Sequence, residues 1–220
     1  MNKKIAILIL THNAPKYVKL TLDSLAKNTH GINHEVIVLD NASKFATKAE
    51  LLWQYKIKKQ INKLAFSTYN TFFAGGNNIL AIMADKDTDY FLLLNSDVEI
   101  KSANWLEHLL ELHVKNDAAI TSYGVVDSEP YRVDGYCYLI NADLYRENPL
   151  DENYQWWWAI TKQQADSMVS GGKVQGVKDH EEYLHHFGGK SGQDFRDAKG
   201  LDTSIEISRK WFKGKKPEFL

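Results

Sequence analysis

The residues best suited to chemistry gather between Asp89 and Glu99, in the stretch DYFLLLNSDVE. Phe91 to Leu94 is an unbroken apolar run that stops at Asn95-Ser96-Asp97, and Glu99 follows one apolar residue later. A short apolar run bounded by polar residues predicts a buried strand. Carboxylates placed where such a strand ends lie at the mouth of an open α/β sheet, where these folds bind ligands. With Asn and Ser beside them, they supply hard oxygen ligands suited to Mg2+ or Mn2+, whereas zinc sites favour Cys and His. The same residues also make a turn and a helix N-cap, because Asn, Ser and Asp hydrogen-bond to nearby backbone. Two more polar clusters follow apolar runs: Thr11-His12-Asn13 and Asp40-Asn41-Ala42-Ser43.

Bringing these groups together requires strands whose ends share one edge. Ile5 to Leu10 predicts a first strand, and after Pro15 the apolar residues Tyr17, Val18, Leu20, Leu22 and Leu25 recur at helical spacing up to about Asn28. Glu35 to Leu39 predicts a second strand, Leu51 to Ile61 a helix with a Lys-rich outer face, and Lys63 to Ser67 a short third strand. Asn70 to Asn78 reads as a glycine-containing turn leading into an apolar helix, Ile79 to Ala84. Strands alternating with helices predict an α/β fold with a mostly parallel central sheet and helices on both faces, in which Thr11, Asn13, Asp40 and Asp97 converge. Trp105 to Val114 predicts an amphipathic helix, and Ala119 to Val126 and Tyr136 to Ile140 further strands. From about Asp151 the composition shifts toward Gln, Gly, His and Lys, which predicts loops and helices finishing the site within one domain, 1–220.

At 220 residues and 44% hydrophobic, the chain is long enough to bury a sizeable core. Its 27 basic and 28 acidic residues leave a net charge of −1, so no overall field recruits nucleic acid or a membrane surface. Lys213, Lys215 and Lys216 form the one local basic run and read as a solvated tail. A single cysteine, Cys137, allows neither an internal disulfide nor a cysteine cluster for zinc. The apolar run in MNKKIAILILTHN is too short for a signal peptide and no stretch approaches a membrane span, so a cytoplasmic, reducing setting is expected.

Taken in order, ILTHN at 9–13, VLDNAS at 38–43, FFAGGNN at 72–78, LLLNSDVEI at 92–100 and HFGGKS at 186–191 give the chain a resemblance to the family 2 glycosyltransferases. That resemblance implies a GT-A fold. It also implies inverting transfer from a UDP- or GDP-type nucleotide diphosphate sugar to a glycan or other hydroxyl acceptor, with Mn2+ or Mg2+ as cofactor. Residues 1–100 would form the nucleotide-binding half and 101–220 the acceptor-binding half with a closing C-terminal segment. Thr11 and Asn13 resemble the loop along the nucleotide. Asp40 resembles the carboxylate that accepts from the base N–H, with an Asx turn as its other reading. Asn70, Gly75, Gly76 and Asn77 look like the turn near the ribose and pyrophosphate, where glycine lets backbone N–H groups approach and a helix N-terminus favours negative charge. Phe72 departs from the family there, which usually has glycine. Asn95-Ser96-Asp97 takes the place of the DxD motif, making Asp97 the expected metal ligand, with His186 completing the metal site or touching the diphosphate. His185 is its competing neighbour. Asp134 and Gly135 resemble the segment beneath the donor sugar, although an Asp before Gly also makes a plain turn.

Inversion by direct displacement needs a carboxylate to take the acceptor's proton. In the family that group belongs to an ED motif a few residues after an FDE-like segment. Leu150-Asp151-Glu152 resembles the segment, but the count then lands on Ala159-Ile160. Asp166, Asp151 and Glu152 become the candidate bases, with Asp179, Glu181 and Glu182 behind them. Trp156, Trp157 and Trp158 precede the altered position and offer an acceptor platform, since aromatic faces stack on sugars and bases; core packing accounts for one or two of them equally well. The absent ED pair also admits a sugar-nucleotide-binding protein without turnover. A glycosyltransferase acting on modified nucleic acid is a third reading, against which the balanced charge argues. A nucleotidyltransferase would want a basic, glycine-rich signature near the N-terminus, which ILTHNAPKY lacks.

Overall fold

Continuous apolar runs make good strands only when both faces of the sheet are covered, and β1 (Lys4–Thr11) meets that condition: Ile5 to Ile9 are at most 1% exposed. The computed structural model describes residues 3–190 and 198–220; Ser191, the last residue of the HFGGKS motif, lies outside them. After β1 come α1 (Pro15–Asn28), β2 (Asn33–Asn41), α2 (Phe45–Lys56), β3 (Lys63–Ser67), α3 (Phe72–Met83) and β4 (Tyr90–Leu94). The middle of the chain forms β5 (Val98–Ile100), α4 (Trp105–Lys115), β6 (Ile120–Tyr123), β7 (Val125–Val126), β8 (Arg132–Val133), β9 (Cys137–Asn141) and α5 (Ala142–Glu147). It ends with α6 (Trp157–Val169), β10 (Val174–Val177), β11 (Leu184–His186), α7 (Ile205–Phe212) and β12 (Glu218–Phe219).

Eight strands build the main sheet in the order β12-β10-β6-β9-β4-β1-β2-β3. All its pairings are parallel except those of β9, which runs antiparallel to β4 and β6. Because side chains alternate across a strand, the sheet divides its apolar residues between two cores. Ile5, Ile7 and Ile9 pack with Val36, Val38, Leu92 and Leu94 beneath α1, α2 and α4. Ala6 and Leu8 pack with Ile37, Leu39, Phe91 and Leu93 beneath α3, α5 and α6. Each buried Ile or Leu favours folding by about 1.5–3 kcal/mol, so a one-residue slip in register would be strongly penalised. Cys137 lies fully buried on β9 with its thiol free. Among the described residues, no helix is long and apolar enough to cross a membrane.

Four expected elements take a different form. The second helix starts at Phe45 rather than Leu51 and ends at Lys56; Phe45 is 84% exposed and Trp53 52%, while Leu51 is buried beside Thr47 and Gln54, so apolar residues alone do not mark its buried face. The turn expected over Asn70–Asn78 is helix from Phe72 onward, with Gly75 and Gly76 inside it. A Cβ on Gly76 would lie 2.4 Å from Leu10 Cδ1, so the glycine serves the close approach of α3 to β1. The strand expected over Ala119–Val126 breaks at Gly124, whose φ of 90° ends β6 before β7 begins. The last third of the chain is more than loops and helices, since β10 and β12 extend the main sheet.

Candidate active site

β4, β1 and β2 are parallel neighbours, so their C-terminal ends emerge on one edge of the sheet. The register pairs Thr11 with Asp40 and Leu8 with Leu93, which brings Thr11 level with Ser96. Asp40 and the Asn95-Ser96-Asp97 turn are two strand spacings apart, about 10 Å. A cleft of about 260 Å³ opens along this edge.

On the β1 and β2 side, two loops are stitched together. Asn13 and Ala14 adopt φ of 60° and 54°, and Ala42 58°. The Asn13 N–H donates to Ser43 Oγ (2.7 Å), Asn13 Oδ1 accepts from the Lys44 N–H (3.0 Å), and His12 Nδ1 lies 2.7 Å from the Asn41 carbonyl. Asn tolerates the left-handed region because its side chain bonds locally, as here. Asp40 is fully buried: Oδ2 accepts from the Ser43 N–H at 3.2 Å and Oδ1 has no donor. Thr11 Oγ1, its register neighbour, is likewise buried without a partner. Thr11 and Asp40 are buried behind the cleft wall and Asn13 does not line it, while His12 and Asn41 do.

Asn41 also fixes the entry to α3. Its Oδ1 accepts from the Thr71 N–H (2.7 Å) and hydroxyl (2.8 Å), and its Nδ2 donates to Asn70 Oδ1 (2.8 Å), which accepts from the Phe72 N–H (2.9 Å). Phe72 holds φ at 56° in this turn. Left-handed backbone costs a non-glycine residue roughly 1–2 kcal/mol, so the loop keeps a glycine-like path with a phenyl ring on it. Asn70, Phe72, Phe73 and Asn77 line the cleft; Gly75 and Gly76 do not.

Asn95, Ser96 and Asp97 line the opposite side. The Asn95 N–H donates to the Tyr136 carbonyl (2.9 Å), and β5 pairs antiparallel with β11, bringing His186 opposite Val98. The Phe187 N–H donates to the Asp97 carbonyl at 3.0 Å. His186 stacks on Tyr136 with centroids 4.3 Å apart, and burial pushes the Tyr136 hydroxyl above the usual phenol range. His186 Nε2 is 3.3 Å from Asp97 Oδ1 and 3.3 Å from Asn95 Nδ2. One octahedral Mg2+ or Mn2+ with bonds of about 2.1 Å holds adjacent ligands about 3 Å apart, so Asp97 and His186 fit such an ion. No group of three His, Cys, Asp or Glu residues able to hold a metal gathers among the described residues, so remaining positions fall to ligand oxygens or water. His185 turns away to Glu181, 3.1 Å from Oε1, where a hydrogen bond from Lys101 leads in holding the Glu181 carboxyl below its ordinary range.

Asp134, Gly135, Trp156 and Trp157 complete the wall. Trp157 is 46% exposed, whereas Trp158 is buried against Trp211 and donates from Nε1 to the Leu201 carbonyl at 3.3 Å. Trp156, at φ 55°, stacks on Phe73 with centroids 6.1 Å apart. None of Asp151, Glu152, Asp166, Asp179, Glu181 and Glu182 lines the cleft. Asp151 accepts from the Asn153 N–H (2.9 Å), and Glu152 from Asn78 Nδ2 (3.2 Å). Asp166 pairs with Lys162 at 2.7 Å and lies nine residues, about 13 Å, along α6 from Trp157. The sequence reading did not single out Tyr136, Gly189 and Lys190, which also line the cleft. Gly188 and Gly189, with φ of 63° and 64°, form a loop whose lysine was the available signal.

The sequence profile of Glycosyl transferase family 2 matches residues 6–166. A comparison with curated proteins gives no significant match. Among solved structures, the mannosyltransferase PcManGT from Pyrobaculum calidifontis, in complex with GDP-Man and Mn2+, superposes with a TM-score of 0.67 at 13% identity, over 79% of this chain and 54% of that one. GalNAc-T7 with UDP, GalNAc and Mn2+ gives 0.61 at 16% identity over 77% and 41%. S. aureus TarS 1-349 in complex with UDP-GlcNAc gives 0.59 at 16% identity over 74% and 53%. This chain thus spans about half the length of these structures, or less.

Proposed function

This chain belongs to glycosyl transferase family 2 and has the GT-A fold, and on that premise we propose that it moves a sugar from a UDP- or GDP-type nucleotide diphosphate sugar to a hydroxyl of a glycan or similar acceptor, with inversion. The observation that carries this reading is the Asp97–His186 pair, 3.3 Å apart in a cleft at the ends of parallel strands. The nucleotides, sugars and Mn2+ in the solved relatives support it. In this reading Asp97 and His186 hold Mn2+ or Mg2+, which when bound offsets charge building on the departing diphosphate. The Gly188-Gly189 backbone and the Lys190 ammonium hold diphosphate oxygens. His12 and Asn41, which line the cleft at the ends of β1 and β2, form the base end, with Thr11, Asn13 and Asp40 supporting them. Asn70 and Asn77 serve the ribose, Gly135 the donor sugar, and Trp156 and Trp157 the acceptor. Residues 1–100 form the donor half and 101–220 the acceptor half.

Calorimetric titration of UDP and GDP with and without Mn2+ tests the donor site. Binding should require the metal and weaken at least tenfold in Asp97→Asn; equal affinity with chelator present, or in the variant, removes the reading. Ala159 and Ile160, both buried where an acidic pair is expected, favour a second reading, donor binding without turnover. Release of free nucleotide diphosphate separates the two.

A further inference from the structure

We propose that Asp134 takes the proton from the acceptor hydroxyl, and that the acceptor reaches it from a second hollow on the other side of the same wall; this rests on the donor reading above. Asp97 and Asp134 are the carboxylates lining the cleft among the described residues, and Asp97 is engaged with His186. Asp134 Oδ1 accepts a local hydrogen bond from the Gly135 N–H at 2.7 Å, and the carboxylate has no ion pair among the described residues. It is also close to where bond breaking would occur. The Asn95 N–H is bonded to the Tyr136 carbonyl, so Asp134 lies two residues, about 7 Å of extended chain, from the backbone beside the Asp97 turn.

A hollow of about 230 Å³ adjoins the cleft and shares Asp134, Gly135, Trp157 and Ile160 with it, adding Arg132. Asp134 is the carboxylate that faces both spaces. Ile160 stands where the acidic pair is missing, and a Cβ on Gly135 would lie 2.8 Å from Ile160 Cγ1. Gly135, next to Asp134, therefore packs against one of the two positions at which the resemblance expects the acidic pair, so Asp134 presents a carboxylate from the turn facing α6. Trp157 offers an apolar face for a sugar ring, and the Arg132 guanidinium carries donors for its hydroxyls.

The step is a single displacement. A lone pair of the acceptor oxygen forms the bond to the anomeric carbon, the bond from that carbon to the diphosphate oxygen breaks with its electron pair on the diphosphate, and the hydroxyl proton passes to Asp134.

The test measures nucleotide diphosphate release from UDP-GlcNAc and GDP-mannose with Mn2+, using p-nitrophenyl hexosides or water as acceptor, beside calorimetric donor binding. Asp134→Asn should lose at least 100-fold in release rate, within the usual span for a general base, while donor affinity stays within about threefold. Trp157→Ala should raise the acceptor KM and leave donor affinity unchanged. An Asp134→Asn variant that keeps its rate, or loses donor binding in parallel, overturns the assignment, as does loss of rate in Asp166→Asn, Asp151→Asn or Glu152→Gln instead. Wild-type protein that binds donor and releases no nucleotide overturns the base and leaves the donor site standing. Wild-type protein that binds neither sugar nucleotide overturns both.

Discussion

At φ 56° Phe72 occupies backbone space that glycine enters without strain, and its ring lines the cleft beside Phe73. Hydrogen bonds from the Thr71 and Phe72 N–H groups to the Asn41 and Asn70 side chains, which are bonded to each other, hold the turn against that strain. The usual helix ranking, in which Ala exceeds Gly, should therefore reverse at this position. Phe72→Gly should be more stable than Phe72→Ala by about 1 kcal/mol in urea unfolding. Equal stability, or alanine ahead, would show that the turn relaxes. At this scale the Asn95-Ser96-Asp97 turn was legible because its chemistry is local: it lines the cleft at the end of β4, where the apolar run predicts it, and His186, expected from the resemblance alone, joins it there. That Asp40 stands behind the wall and Asn41 on it was not legible, since one step along a strand end decides which face a side chain takes.

Among elements, the first four strands and the starts of α1 and α4 were legible, whereas the starts of α2 and α3 and the strands of the last third were not. β1, β2 and β4 are continuous or nearly continuous apolar runs, and burial on both sides produces that pattern. The start of α3 was hidden because Gly75 and Gly76 look like a turn until Leu10 of β1 is placed beside them. Gly76→Ala should cost about 1–3 kcal/mol in unfolding free energy, as overpacking does. Because Leu10 lines the cleft, nucleotide affinity should fall as well; unchanged affinity would mean Leu10 swings aside without moving the wall. A second brace lies near the chain's end. A Cβ on Gly200 would fall 2.3 Å from the Asn153 carbonyl oxygen, and Gly200 has φ 75°. Gly200→Ala should cost about 1–3 kcal/mol and shift tryptophan fluorescence, because the 198–203 segment supports the loop that leads to Trp156.

For the whole molecule, the edge of the sheet opposite the cleft is tied by charge. Lys4 Nζ is 2.7 Å from both Asp85 and Asp87, and Lys63 Nζ bridges Glu35 (2.8 Å) and Asp85 (2.6 Å), joining β1, β2 and β3 to the loop before β4. Hydrogen bonds from Lys4 and Lys63 lower the Asp85 carboxyl to about 2. At Asp23 burial opposes ionisation, but hydrogen bonds from Lys19, Lys58 and Gln54 prevail and hold it at about 2. Both folded values lie below the unfolded carboxylate value near 3.9, so the unfolded chain binds protons first as pH falls. The stabilisation is complete above about pH 4 and disappears toward pH 2. Melting temperature should be flat above that window and fall within it. Asp85→Asn should lower it at pH 7, fall less steeply with acid, and keep nucleotide affinity, since the cleft is on the far edge. A parallel pH profile for the variant would show that these ties add nothing.

The fully buried thiol on β9 has a practical corollary. Burial holds Cys137 far above the range in which thiolates react, and no other cysteine exists to compete. The wild-type chain is therefore a silent background for maleimide chemistry. A cysteine engineered at Trp157, on the exposed rim, would carry a fluorophore at one defined point and report ligand arrival directly.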